Sequence, residues 1–379
     1  MKEEIIKRRN QLVGFLYQKI GKPIFFKFDP ENVHDFITAV GKLLGGNPLT
    51  RPLTNIFLNY SHPTLTQTVA GINFKNPIGL AAGFDKNAGL TQIMPAVGFG
   101  HMEVGSVTGE PCDGNPKPRL WRLPKSQALV VYYGLKNDGC EKIAERLYNK
   151  KFKIPVGVSV AKTNCALTAT PQAGIADYVK AFEKMKGVAD YITINISCPN
   201  AFGGQPFTKA EDLDTLLTAI EKISFDKPTF LKLPPDLSRA ELDALLAVSD
   251  RHRVSGFICT NLTKDRTNEQ IKALLKDADI KTVGGISGRP IAEISTKTIS
   301  YLYQKTQGRY IIIGCGGIFS ATDAYEKIKA GATLIQLITG MIYKGPQLIS
   351  EINSGLVELL KKDGYKNISE AVGADYKKV

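Results

Sequence analysis

Cys198 lies between two amides in the run Asn195-Ile-Ser-Cys-Pro-Asn200. A thiol placed so can serve as a base or nucleophile if nearby lysine charge lowers its pKa from the usual ~8.5. The plainer reading is a small buried residue before an ordinary turn. Asn195 and Asn200 supply donors and acceptors that suit a planar amide or a carboxylate. Lys86 ends the run Ala81-Ala-Gly-Phe-Asp-Lys86, whose small residues let a flat ligand approach the backbone. Lys232 sits inside an apolar run before Pro234-Pro235, where a charge must find an anionic partner or reach solvent. Thr260-Asn261 ends another such run. Three glycine-bearing segments follow: Gly284–Pro290, Gly314–Ile318 and Thr339-Gly340. Backbone N–H groups in such segments bind phosphate, so together they point to a phosphorylated ligand.

These residues need a frame that brings strand ends together. From about residue 70 onward, short apolar runs alternate with helical stretches. The runs are Pro77–Gly83, His101–Val107, Pro155–Val160, Tyr191–Cys198, Thr229–Leu233, Gly256–Thr260, Tyr310–Gly314 and Leu334–Ile338. Helical periodicity falls at Ile175–Met185, Leu213–Ile223, Ala240–Ser249 and Ala321–Ala330. Alternation repeated about eight times predicts an α/β fold, a (β/α)₈ TIM barrel, with its chemistry at the C-terminal strand ends. A doubly wound open sheet is the alternative, but no G-x-G-x-x-G follows the first strand. Segment 108–140 is too long for a simple connection and predicts a lid or a wall of the site.

The first 60 residues read as a separate helical extension, leaving 61–379 for the barrel. Ile5, Ile6, Leu12, Val13, Leu16 and Ile20 share one helical face. A second helix begins at an Asp29 cap with Pro30 at its first position, carries Val33, Phe36, Ile37, Val40, Leu43 and Leu44 as its stripe, and stops at Gly45-Gly46. Lys22–Phe28 reads as a basic, aromatic link between them. Such a hairpin either packs on the main domain or rests on a membrane surface.

Composition narrows the classes. In 379 residues, 43% hydrophobic and 22% charged, there is ample material for a core and no sign of a disordered or fibrous chain. No apolar run reaches the ~18 residues of a membrane span. The net charge of +13 favours an anionic partner, but one Trp and no aromatic-basic repeat leave nucleic acid without support. Six cysteines with no C-x-x-C pair, beside four His, give neither zinc spacing nor a disulfide framework, so no metal is expected and a reducing cytosol is.

The chain resembles the dihydroorotate dehydrogenases from about residue 20 to 350. The resemblance is carried by Phe28-Asp-Pro-Glu-Asn-Val-His34, Gly79–Lys86, Lys117-Pro-Arg-Leu-Trp-Arg122, Asn195–Asn200, Gly285–Pro290, Gly314–Ile318 and Gly340–Pro346. The helical extension resembles that of the membrane-associated, quinone-using class. The resemblance implies a barrel binding flavin mononucleotide (FMN), a base that takes the C5 proton of dihydroorotate, and hydride transfer from C6 to flavin N5, in de novo pyrimidine synthesis. It implies Cys198 as the base, and substrate contacts at Lys86, Asn195, Asn200 and Asn261. Flavin contacts are implied at Ala82, Gly83, Lys86, Ser106, Ser159, Asn195, Lys232, Thr260, Gly288, Gly317 and Thr339. A quinone site is implied at His34 and Arg122, with peripheral membrane contact through residues 1–45 on the cytoplasmic face of the cell membrane. Four positions depart from the pattern of the quinone-using class. Cys198 replaces a Ser base, Val131 an Asn and Leu262 a Thr that contact substrate, and Ile338 a Tyr beside flavin and quinone. The alternatives these leave are another cyclic substrate or a soluble electron acceptor.

Overall fold

The structure is a computed structural model that describes residues 2–202, 204–277, 281 and 283–377. Its centre is a closed barrel of eight parallel strands: β1 (Ile78–Leu80), β2 (His101–Val107), β3 (Val156–Val160), β4 (Tyr191–Asn195), β5 (Thr229–Leu233), β6 (Gly256–Cys259), β7 (Ile311–Cys315) and β8 (Leu334–Leu337). Each pairs with its sequence neighbours, and β8 closes on β1. All eight apolar runs are therefore barrel strands. They are buried almost throughout because helices cover their outer faces. The predicted helices are present at Pro171–Met185, Ala210–Ile220, Arg239–Ser249 and Ala321–Lys329.

The barrel interior changes character along its axis. At the N-terminal end it is apolar, with Tyr191, Phe230, Ile258, Ile313 and Leu334 in one cluster with Val69 and Phe74 of a hairpin, Gln67–Val69 with Ile72–Phe74. Higher up it is polar. Buried Glu103 on β2 accepts hydrogen bonds from Thr193 Oγ1 on β4 (3.0 Å) and Gln336 Nε2 on β8 (3.1 Å). A register shift between Val104 and Val107 in the β2–β3 ladder re-aims Gly105 and Ser106 toward the open end.

Segment 108–140 forms a hairpin, Leu120–Leu123 with Ala128–Val131. The second strand also pairs with Gly285–Gly288. The glycine-rich run Gly285–Gly288 is thus the third strand of a small antiparallel sheet at the barrel mouth.

The extension is helical, but its boundaries differ from expectation. α1 (Lys2–Leu16) continues through a π turn at Tyr17–Gly21 and a further turn at Lys22–Phe25, so most of the expected link is helix. α2 (Pro30–Gly46) begins as expected: Asp29 accepts from the Glu31 and Asn32 N–H groups at 2.9 and 3.0 Å. Gly41 and Gly45 let α2 lie close to the barrel. A Cβ at Gly41 would meet Leu90 at 2.7 Å, and one at Gly45 would meet Ile93 at 3.2 Å. α3 (Thr50–Leu58) has no counterpart in the sequence reading.

Side chains tie this extension to the barrel. Arg9 donates to Ile56 O, Asn59 O and Ser350 Oγ at 2.7 to 2.9 Å, and Tyr17 Oη donates to Ile342 O at 2.6 Å. Packing leaves many apolar residues of the extension uncovered: Leu12, Phe15, Ile20, Phe36, Leu43, Leu53 and Ile56 are each more than half exposed. No helix among the described residues is long and apolar enough to cross a membrane.

Candidate active site

One continuous cavity opens at the C-terminal strand ends and runs between the small antiparallel sheet and α2. It gathers Lys86 from the β1 end, Ser106 from β2, Asn195, Cys198 and Asn200 from β4, Lys232 from β5, Thr260 and Asn261 from β6, Gly317 from β7 and Thr339 from β8. Ala82, Gly83, Gly288 and His34 also line it, as do Val131, Leu262 and Ile338, the positions that depart from the expected pattern. Two expected residues do not line it. Ser159 lies one layer below, where its Oγ is 2.7 Å from Ser106 Oγ. Arg122 lies outside the wall, donating to Phe28 O at 2.9 Å with its guanidinium 4.6 Å from the Phe26 ring centre.

The turn bearing Lys86 is fixed by Asp85, whose two carboxylate oxygens each accept a backbone N–H, from Gly89 and Leu90, at 2.8 Å. Lys86 Nζ sits 3.7 Å from the centre of the Tyr133 ring. Burial draws its pKa down to about 8, against the opposing charges of Asp35 and Glu31. The ammonium is therefore held over an aromatic face, and no described carboxylate pairs with it.

Strand β4 ends at Asn195, so Cys198 sits on the following turn rather than in the strand. Asn195 Nδ2 donates to Ser106 Oγ at 2.8 Å, and its Oδ1 accepts from Ser197. Asn261 is also engaged: its Nδ2 reaches Ser197 O and Oγ, and its Oδ1 accepts the Leu262 N–H. Asn200 differs. Its Nδ2 donates to Val131 O at 2.8 Å, while its Oδ1 is buried without a partner. Burial pushes the Cys198 thiol up, opposed by the Asn200 N–H and the charges of Lys264 and Lys162. The lysines weaken this burial effect without reversing it.

Lys232 is 4% exposed and lies beside Asn195 in the β4–β5 register. Burial raises the pKa of the Glu103 carboxyl in the layer below, and the Lys232 charge opposes that rise. Thr260 Oγ1 is buried without a hydrogen-bond partner. Gly317, at φ +70°, lies so near Ala292 that a Cβ would approach its Cβ to 2.3 Å. Ser287 Oγ and Thr339 Oγ1 are 2.9 Å apart beside it in the cavity wall.

His34 joins the extension to the site. Its Nε2 lies 2.8 Å from Phe84 O, its Nδ1 3.1 Å from Asp35, and burial draws its pKa down. Glu31, three residues earlier on α2, is 3% exposed and receives two hydrogen bonds from Arg119. Glu31 and Arg119 lie in segments that carry the resemblance but had no role assigned, because their pairing spans 88 positions, and Glu103 was passed over within the run His101–Val107. Among the described residues no group of three His, Cys, Asp or Glu could hold a metal ion, and all six cysteines are free.

A family profile described as dihydroorotate dehydrogenase matches residues 64–360. Two curated relatives carry the name dihydroorotate dehydrogenase (quinone). That of a Sulfurovum species is 39% identical over 368 residues, covering 96% of this chain and 99% of its own. That of Gloeobacter violaceus is 36% identical over 360 residues, covering 94% and 99%. Among solved structures, the DHODH of Eimeria tenella in complex with ferulenol superposes with a TM-score of 0.82 at 29% identity, covering 92% of this chain and 96% of that one. With the eight-stranded barrel and a mouth that gathers residues from seven of the eight strand ends, this similarity over nearly the whole length means that the chain belongs to the dihydroorotate dehydrogenase family, in its quinone-dependent class.

Proposed function

We propose that this cavity oxidises dihydroorotate to orotate, with FMN as resident cofactor and a membrane quinone as electron acceptor. The observation that carries the reading is the set of uncommitted polar groups at one end of the cavity. Lys86 offers an ammonium without a carboxylate partner, Asn200 Oδ1 offers a buried acceptor without a donor, and Cys198 lies between Asn195 and Asn200. A planar ring bearing one carboxylate and ring N–H groups complements them. In this reading Lys86 holds the carboxylate, Asn200 accepts a ring N–H, and Cys198 takes the C5 proton. Asn195 and Asn261 brace the Ser197–Cys198 turn through the bonds already described. Val131 and Leu262 give the ring apolar walls, so polar recognition rests on Lys86 and Asn200.

The other end of the cavity fits a flat, phosphorylated group. Thr260 Oγ1 has no protein partner, Lys232 is a buried cation facing the cavity, and Gly317, where a Cβ would clash with Ala292, brings bare backbone to the cavity wall. Ala82, Gly83, Ser106, Gly288 and Thr339 complete its lining, with Ser159 supporting Ser106. Lys232 favours negative charge developing at its position, and the backbone N–H groups after β7 and β8 suit a phosphate. When bound, FMN supplies a two-electron acceptor. Residues 1–60 form the quinone-access extension and 61–379 the catalytic barrel. His34 lies at the inner end of the passage, and Arg122 braces its outer wall through Phe28. The exposed apolar residues of α1 to α3 rest on the cytoplasmic face of the cell membrane, with the basic residues around Lys22 among headgroups. The test is to release and identify the flavin from purified protein, then add dihydroorotate without oxygen. Bleaching of the flavin, reversed by a quinone, supports the reading, and an unbleached flavin refutes it.

A further inference from the structure

Behind Cys198 a second, smaller cavity is lined by Lys162, Tyr178, Asn195, Cys198, Gln205 and Phe207. Lys162 follows β3 and is 3% exposed. Its stem passes over Gly174 of the helix Pro171–Met185, where any Cβ would meet Lys162 Cδ at 3.3 Å. Its Nζ donates to Phe202 O at 2.5 Å, in the loop that follows Cys198. The same loop is gripped from its other side, since Phe202 N–H donates to Asn164 Oδ1 at 2.5 Å. Two residues of one turn thus hold both polar groups of the Phe202 backbone.

That bond uses one of the three donors of the ammonium, and no described carboxylate forms an ion pair with it. The neighbouring carboxylate, Asp177, is occupied by Gly109 N, Thr163 N and Thr163 Oγ1. The charged and titratable groups facing Lys162 are Cys198, Cys165 and Asp177. Those facing Cys198 are Lys264, Lys162 and Cys112, with Tyr178 behind it donating to Asn195 O. A buried cation costs free energy unless an anion or acceptor meets it. The Cys198 thiol lines the same small cavity as Lys162 and, once deprotonated, would supply the anion that this ammonium lacks.

We propose that Lys162 is a positioning residue for Cys198, holding the loop of the base through the Phe202 carbonyl and presenting a buried positive charge that favours the thiolate. The proposal rests on the reading of Cys198 as the base. When substrate gives up its C5 proton, the thiolate becomes a neutral thiol, so the charge behind it acts on the form that must be present beforehand.

The variants separate the two roles. Lys162→Gln keeps a donor for Phe202 O but removes the charge, and Lys162→Arg keeps both. In the holoenzyme, the pH dependence of anaerobic flavin bleaching by dihydroorotate is measured. So is the pH dependence of Cys198 alkylation by iodoacetamide without substrate, followed by peptide mass. Removing a nearby cation shifts a pKa by ~1 unit or more, so both midpoints rise by that amount in Lys162→Gln and alkylation at fixed pH below them slows by ~tenfold. In Lys162→Arg both midpoints stay at the wild-type value. Should Lys162→Gln fail to hold flavin, Lys162→Met, whose apolar stem suits the burial, must show the same rise. Unchanged midpoints in the uncharged variants, even with a lower rate or melting temperature, overturn the proposal and leave Lys162 as a structural latch. Failure of the base reading looks different: Cys198→Ala would then bleach as fast as wild type, whatever Lys162 does.

Discussion

Glu31 on α2 and Arg119 in the long insertion, 88 positions apart, share two hydrogen bonds of 3.0 and 2.8 Å with both side chains 5% exposed or less. Arg119 also donates to the carbonyls of Asp113 and Asn115, and its guanidinium lies 5.3 Å from the Tyr133 ring that carries Lys86. The pair fastens the helical extension to the wall of the substrate end, so a change in one is felt in the other.

Breaking that pair exposes its worth. Glu31→Gln leaves Arg119 buried without its anion and should cost ~3–5 kcal/mol of stability, read as a fall in denaturation midpoint. The pair also sets an acid limit. Burial alone would raise the Glu31 pKa, but the hydrogen bonds and charge of Arg119, with Lys117 and Lys136, outweigh it and hold the carboxyl at about 2. A folded pKa below the unfolded one contributes stability above the unfolded value and loses it as pH falls toward the folded one. Stability should therefore fall between pH ~4.5 and 2 in the wild type, with a shallower fall in Glu31→Gln. Equal acid slopes in the two proteins would contradict the assignment.

Lys86 gives a second pH dependence, at the alkaline end. With its pKa drawn down to about 8, the ammonium is lost as pH rises through that value. Orotate, an anion, should bind most tightly below pH 8 and weaken above it. Lys86→Met should lose ~2 kcal/mol of orotate affinity and most of this alkaline dependence. Titration of orotate binding at pH 7 and 9 checks both, and a pH-independent affinity in the wild type would rule out the contact.

Lys232→Ala removes the buried cation that faces the FMN end. Flavin occupancy should fall, or the reduction potential should become more negative, because the charge that favours reduced flavin is gone. Full occupancy with an unchanged potential would make Lys232 structural.

The eight strands were legible because parallel strands buried on both sides read as continuous apolar runs, and Asp29-Pro30 announced α2 by local chemistry. What escaped was non-local. Gly285–Gly288 was not recognised as a strand because its partner strand, Ala128–Val131, is about 150 positions away. The turn at Tyr17–Gly21 carries helix through Gly21 and Pro23, two residues that argue locally for a break. At the site, Cys198, Lys86 and Lys232 stood out by residue type within apolar or amide-rich runs. Glu103 carried the same local signal as Lys232, a charge within the apolar run His101–Val107, and was passed over, whereas Lys162 and the Glu31–Arg119 pair are recognised as buried only from partners distant in the chain.

Membrane contact is tested without truncation. Deleting residues 1–45 would remove Glu31 and leave Arg119 uncompensated, confounding binding with stability. Leu12 and Phe15 on α1 and Leu53 on α3 are each more than half exposed, so Leu12→Glu, Phe15→Glu and Leu53→Glu combined should spare the fold. Liposome binding and quinone turnover should fall together while flavin reduction by dihydroorotate holds. Unchanged liposome binding and quinone turnover in this variant would contradict membrane contact through this face.

The most direct measurement is a single turnover of flavin reduction in wild type and Cys198→Ala, mixed with dihydroorotate without oxygen. General-base catalysis is worth ~10²–10⁴ in rate, so the variant should keep its flavin spectrum yet bleach slower by that factor, and Cys198→Ser should fall between the two with its profile moved to higher pH. A Cys198→Ala enzyme that retains flavin and bleaches at nearly the wild-type rate would contradict the assignment of the base.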